Sequence, residues 1–254
     1  MEACNILIVP GVALLLAFLV IESRVSAPLM PLSIFRHRNV ATANVVAVLW
    51  AAAMFAWFFL SALYLQLVLG YSALQVGLAF LPANLIMGAF SYSLSAKTVT
   101  RFGIRGPLAV GLLLASIGLG LFALAPADGS FVLHVLPPML LLGFGAGMAF
   151  NPVLLAAMSD VAPEEAGLAS GVVNTAFMMG GALGLAVLAS LAAGRTGELA
   201  AAGLDAKAAL NSGYHAAFLA GAVCAAMAAA IGALFLRPGA AAAGLATSPA
   251  AAAH

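Results

Sequence analysis

Residues 96–111 read AKTVTRFGIRGPLAVG. Three bases, Lys97, Arg101 and Arg105, fall here between long stretches that carry no charge, so the segment marks a boundary between two apolar runs. The contrast holds along the whole chain: 7% of its 254 residues are charged and 65% are hydrophobic before its 26 glycines are counted. Ordinary soluble domains are only ~45–50% apolar with glycine included. A globule this poor in polar residues could not cover its own surface, so the solvent around most of the chain is itself apolar. The composition points to a bilayer as the chain's first partner.

Other classes fall away quickly. The formal net charge of +1 is spread over short segments with no interleaved aromatics, which excludes a nucleic-acid surface. Cys4 and Cys224 lie far apart, and Cys224 sits within an apolar run, so neither a disulfide framework nor a metal site is expected. No His-Glu-x-x-His, no Gly-x-Ser-x-Gly and no paired aspartates occur in the apolar runs, which argues against an intramembrane enzyme and leaves no catalytic residue and no cofactor to assign.

Crossing ~30 Å of hydrocarbon takes about 20 mostly apolar residues as a helix. Seven such runs predict an all-α polytopic bundle: 5–21, 41–65, 74–96, 107–125, 134–158, 167–193 and 214–236. The first reads as a span rather than a signal peptide. No base precedes it, and a cut after Arg24-Val25-Ser26-Ala27 would be followed directly by Pro28. With seven spans the termini face opposite sides. Arg24, Arg36, Arg38, Lys97, Arg101, Arg105 and Arg237 then share one side, against Arg195 and Lys207 on the other. The positive-inside rule makes the first side cytoplasmic, with the amino terminus outside. Pro163-Glu164-Glu165 reads as a helix start, because proline tolerates the first turn and carboxylates favour the positive end of the helix dipole. Residues 194–213 are expected to form an outer loop, either irregular or holding a short helix, and 238–254 an alanine-rich tail.

Lipid gives helices no hydrophobic reason to associate, so close packing rests on small residues. Gly143 with Gly147, Gly167 with Gly171 and Gly180 with Gly184 have the four-residue spacing that aligns them on one helix face. Pro152, after Asn151, predicts a kink near Met148. Such a kink serves either an ordinary membrane helix or a bent helix lining a substrate path.

Three stretches together resemble the drug:proton antiporters of the major facilitator superfamily, in their fourteen-helix branch. Tyr64 to Ser72, YLQLVLGYS, with Gly77-Leu78 and Leu81-Pro82, is similar to a junction between two helices of that family. Gly167 to Gly171, GLASG, with Asn174-Thr175 and Gly180 to Gly184, resembles a later helix. Pro28 to Leu32 with Phe35, Arg36 and Arg38 resembles its cytoplasmic linker. Arg101-Phe102-Gly103 with Arg105 resembles the superfamily's short cytoplasmic loop motif, and the likeness implies a gate latch there, although setting topology would alone account for the bases. Thr100 stands where stricter versions of the motif carry aspartate, Ala73 where proline is frequent, and Phe177 and Met178 where many relatives have arginine and glutamine.

The resemblance implies an extra span and linker over 1–40 and a carboxy-terminal six-helix bundle over 41–237, with an amino-terminal half as the missing partner. It also implies a multi-pass protein of the plasma membrane. Arginine outnumbers lysine seven to two, a composition that hints at a GC-rich bacterial gene and so at a bacterial inner membrane. The second and fifth runs would face the central cavity, offering Trp50, Met54, Phe58, Met148 and Asn151 to a small-molecule substrate. Aromatic rings attract cations and methionine adapts its shape, so bulky apolar or cationic compounds fit such a lining. Gln66, Arg101, Gly103, Arg105 and Asn174 join the paired glycines as packing and gating candidates. No carboxylate lies inside a run, and His134 and His215 fall at run ends, so the chain offers no obvious proton carrier. A single bundle has no opposing wall for alternating access. The expectation is an efflux permease half that needs its partner, the alternative being a non-transporting remnant or interaction subunit.

Overall fold

The computed structural model describes Val20 and residues 32–237. The run 5–21 (Val20 apart), the linker 21–31 and the tail 238–254 lie outside the described residues. Seven α-helices follow in order: α1 (Arg38–Leu63), α2 (Ala73–Ala89), α3 (Ser95–Phe102), α4 (Arg105–Phe122), α5 (Leu136–Met158), α6 (Ala166–Ala201) and α7 (Ala206–Phe235). All but α3 belong to segments long and apolar enough to cross a membrane. Wider π-turns extend three of them: Tyr64–Val68 continues α1, Phe90–Leu94 joins α2 to α3, and Phe131–Val135 leads into α5. Among the described residues there is no strand.

α1 is the central element, packed by α5, α6 and α7, and more than half of its apolar window is buried. Trp50 and Trp57 on α1 and Tyr64 in the π-turn that continues it are fully buried, as are Phe122 of α4 and Phe218 of α7. The last two stack with ring centroids 5.1 Å apart. α2 and α6 differ sharply, with only 22% and 28% of their windows buried. Their outer faces, such as Leu74, Leu78, Leu81 and Leu85 on α2, are apolar and exposed.

Backbone contact decides the closest crossings. A Cβ on Gly145 would stand 2.5 Å from the Gly111 carbonyl oxygen, and one on Gly111 would stand 2.7 Å from the Gly145 carbonyl oxygen, so α4 and α5 touch main chain to main chain. Gly143 and Gly147 bring α5 against Ala83 and Met87 of α2, and Gly180 and Gly184 bring α6 against Val48 and Ala52 of α1. Gly167 and Gly171 behave otherwise: a Cβ at either would meet nothing within 4 Å, so neither packs against a described helix. Both are exposed on α6, and Gly171 borders the cavity described below rather than a helix contact.

Two helix boundaries also depart from expectation. The stretch 194–213 is not a loop. α6 runs on to Ala201 and α7 begins at Ala206. Good helix formers surround Gly194 and Gly197, Arg195 pairs with Glu198 at 3.2 Å, and the Thr196 hydroxyl donates to the Ala192 carbonyl. The turn is confined to 202–205, where Gly203 takes φ +87° and Asp205 accepts from the N–H groups of Lys207 and Ala208. Likewise Lys97 and Arg101 ride on α3 rather than in a loop, and the chain reverses only at Gly103, whose φ is +71°. α5 continues through Pro152 to Met158.

At the start of α2, Ser72 and Gln75 form a reciprocal cap. The Ser72 N–H donates to Gln75 Oε1 at 2.8 Å, and the Gln75 N–H donates to Ser72 Oγ at 3.4 Å. Ser72→Ala is expected to cost about 1 kcal/mol, read as a lower unfolding midpoint of the detergent-purified chain. An unchanged midpoint would show that α2 is held by packing alone.

Candidate functional site

A cavity of about 550 Å³ opens between α1, α5 and α6. α1 supplies Ala47, Trp50, Met54 and Phe55, α5 supplies Phe150, Val153 and Leu154, and α6 supplies Ser170, Asn174, Phe177 and Met178. The lining is aromatic and thioether-rich, with a hydroxyl and a carboxamide as its side-chain hydrogen-bonding groups at the α6 edge. Phe177 organises the wall, meeting Phe55 edge-on at 6.1 Å and Phe150 at 5.9 Å. Trp50 is fully buried, and its indole N–H has no hydrogen-bond partner among the described residues.

Trp50 and Met54 therefore line the cavity. Phe58, Met148 and Asn151 do not. Phe58 stacks on Phe80 of α2 at 5.5 Å. Met148 lies against Gly111 of α4. The Asn151 carboxamide donates to the carbonyl (3.1 Å) and hydroxyl (3.3 Å) of Ser91, tying α5 to the π-turn after α2. The reason is helical phase: each residue turns the side chain by roughly 100°, so Phe150 faces the cavity while Asn151 points to α2. Phe55, Phe150 and Ser170 carried no signal beyond apolarity or smallness. Asn174 is exposed at the cavity edge, and Gln66 is exposed in the π-turn after α1.

The bases of the basic end find specific work. Arg105 donates to the Ala233 carbonyl, and Arg38 Nε donates to the Phe235 carbonyl at 2.9 Å with its guanidinium 5.6 Å from the Phe235 ring. Both cap the last turn of α7, where unpaired carbonyls and the negative end of the dipole favour cations. Arg101 lies over the neighbouring Phe102 ring at 5.4 Å. Between them sits Asn39, 1% exposed. Its Nδ2 donates to Ser159 Oγ (2.9 Å) and the Arg237 carbonyl (3.3 Å), and its Oδ1 accepts the Arg237 N–H at 2.8 Å. Its own backbone N–H donates to Asp160 at 3.3 Å. One asparagine thus fastens the ends of α1, α5 and α7. At the opposite end His215 and Asn211 share the Ala125 carbonyl, and the Tyr64 hydroxyl donates to that of Pro126 at 2.8 Å.

A family model described as Major Facilitator Superfamily matches residues 6–185, in agreement with the apolar spans. The chain belongs to that superfamily. Its relatives include the puromycin resistance protein of Streptomyces alboniger, 36% identical over 192 residues that make up 75% of this chain and 38% of that protein. The cephamycin export protein of Amycolatopsis lactamdurans is 37% identical over 70% of this chain and 37% of its own length. The tetracenomycin C resistance and export protein of Streptomyces glaucescens is 35% identical over 70% of this chain and 33% of its own. The chain thus spans little more than a third of the length of these superfamily relatives. The match and the apolar helices agree with a multi-pass membrane protein.

Proposed function

We propose that residues 41–237 form one bundle of a bacterial plasma-membrane efflux permease, with the cavity between α1, α5 and α6 as one wall of its substrate path. The observation that carries this is the cavity itself, apolar, aromatic and open on one side, on a bundle whose α2 and α6 leave apolar faces uncovered. An amino-terminal bundle is the partner that would cover those faces and supply the opposing wall. Hydrophobic or cationic small molecules suit the lining, since Trp50, Phe55 and Phe177 offer ring faces and Met54 and Met178 adapt to shape. The export and resistance proteins among the relatives support the same direction. Proton coupling draws on carboxylates of the partner bundle, because the described spans carry none in their apolar windows. The basic end is cytoplasmic and the α6–α7 turn outside, following the distribution of arginine.

The test is accumulation of a fluorescent lipophilic cation in a drug-sensitive bacterial host. Cells expressing the chain joined to an amino-terminal bundle should accumulate less dye, and cells expressing residues 1–254 alone should match the empty host. In the joined protein Trp50→Ala should change export of at least one compound by about ten-fold or more while leaving membrane yield intact. Export that is indifferent to Trp50, Met54 and Phe177 alike would move the substrate path elsewhere.

A further inference from the structure

At the end of the bundle opposite the bases, the segment 123–130 joins α4 to α5 and is held from several directions. The Tyr64 hydroxyl donates to the Pro126 carbonyl, and a Cβ on Gly129 would stand 3.0 Å from that hydroxyl, so the segment rests directly on the Tyr64 side chain. From α7, Asn211 and His215 meet the Ala125 carbonyl at 3.2 and 2.7 Å. A further tie is made at the entrance to α5. There the Ser130 N–H donates to His134 Nδ1 at 3.1 Å, while Ser130 Oγ accepts the Leu133 N–H at 3.3 Å. The pair is reciprocal in the manner of Ser72 and Gln75, with an imidazole where a carboxamide serves α2.

The two histidines work in opposite chemical senses. A carbonyl only accepts, so His215 donates through Nε2, and a proton added at its Nδ1 leaves that bond in place. A backbone N–H only donates, so His134 accepts through an unprotonated Nδ1. Its Nε2 then carries the one proton of the neutral ring. A second proton enters at Nδ1 and removes the acceptor that holds Ser130. The new charge also stands in the first turns of the helical stretch Phe131–Met158, at the positive end of its dipole. Asp128, in the same segment, supplies the opposing charge. It lies within electrostatic reach of Tyr64, as Tyr71 does. α7 adds His215 with its neighbour Tyr214, and Lys207 one turn before Asn211, while α1, α2, α4 and α5 bring no other titratable side chain to this end.

We infer that Ser130 and His134 form an acid-released clasp: proton uptake by His134 frees the Ser130 end of the segment, while Ala125 stays fastened to α7. The segment then swings on one fixed end instead of detaching. The inference rests on the hydrogen bonds of this bundle and not on efflux, so the two fail separately.

Amide hydrogen exchange resolved to single residues, on the full chain in detergent micelles at pH 8 and pH 5, reads the clasp. Histidine ordinarily gains its charge between about pH 8 and 5, and carboxylates ordinarily keep theirs to about pH 4. Each rate is compared with that of unstructured chain at the same pH, which isolates protection. Protection of the Ser130 N–H should fall about five-fold or more between pH 8 and pH 5, the worth of about one net hydrogen bond. Protection of the Ala125 N–H, donated to the Phe122 carbonyl, should hold. His134→Gln offers a carboxamide oxygen that accepts without titrating, and should keep Ser130 protected at both pH values. His134→Leu should leave it open at both, and His215→Gln should leave the fall unchanged. Equal Ser130 protection at the two pH values in the unaltered chain overturns the inference, as does a fall that persists in His134→Leu or vanishes in His215→Gln. A parallel fall at Ala125 overturns it too, because acid then loosens the whole end. The comparison of Ser130 with Ala125 needs no substitution, so the inference can fail even where a variant does not fold.

Discussion

Gly145→Leu is expected to empty the membrane of folded protein, and Gly167→Leu to leave its amount unchanged. At position 145 the first added carbon would stand 2.5 Å from the Gly111 carbonyl oxygen and 2.8 Å from the Ala115 nitrogen. Both are backbone atoms that no rotamer change can move aside. Overpacking a well-filled interior costs about 1–3 kcal/mol and sometimes more, and a leucine forced between two main chains falls at the upper end. About 3 kcal/mol is more than a hundred-fold in the folding equilibrium, a large part of the stability of a domain. At position 167 an added carbon meets nothing. The pair is compared by detergent melting and protease resistance, and equal behaviour of the two variants would refute the main-chain contact between α4 and α5 at Gly145.

The second large effect is local. Asn39→Leu removes the carboxamide that joins Ser159 and both backbone groups of Arg237. The Arg237 N–H and carbonyl then lose these part-buried hydrogen bonds, at about 0.5–1.5 kcal/mol each. Taking about 2 kcal/mol, the end of α7 opens roughly thirty-fold more often, because local opening follows local stability. Hydrogen exchange of a peptide covering 232–237 reads this directly. Asn39→Asp keeps the acceptor for the Arg237 N–H and loses the donors, so it should fall between the two. Exchange as slow in Asn39→Leu as in the unaltered chain would mean that Arg38 and Arg105 hold the end of α7 unaided.

The spans were legible because hydrocarbon thickness imposes a length and an exclusion of charge that composition alone reveals. The ends of helices were not, since polar residues mark where the bilayer stops and not where a helix does. Gly194, Arg195 and Gly197 suggested a loop, yet hydrogen-bonded helix continues through them to Ala201. Trp50 and Met54, picked from the sequence by residue type, border the cavity between α1, α5 and α6. A period of 3.6 makes neighbouring residues differ by more than a quarter turn, so Phe150 borders the same cavity while Asn151 ties α5 to Ser91. Spacing identified Gly143 and Gly147 but passed over Gly111, which has no companion four residues away and finds its partner on another helix. Asn39 stood out least, because one polar residue at a span boundary looks ordinary until three helix ends converge on it.

The hairpin of α6 and α7 has one further consequence. A helix of 36 residues is about 54 Å long, and only ~30 Å of hydrocarbon is available to it. The turn at Gly203 therefore stands in water at the tip of a stiff mast, about 25 Å of helix beyond the mid-helix seat of Gly180 and Gly184 on α1. A tilt of a few degrees at that seat is magnified into a displacement of ångströms at the tip. A dye or a recognition tag carried there turns the quiet packing of two helices into a pointer that can be watched from the aqueous side of the membrane.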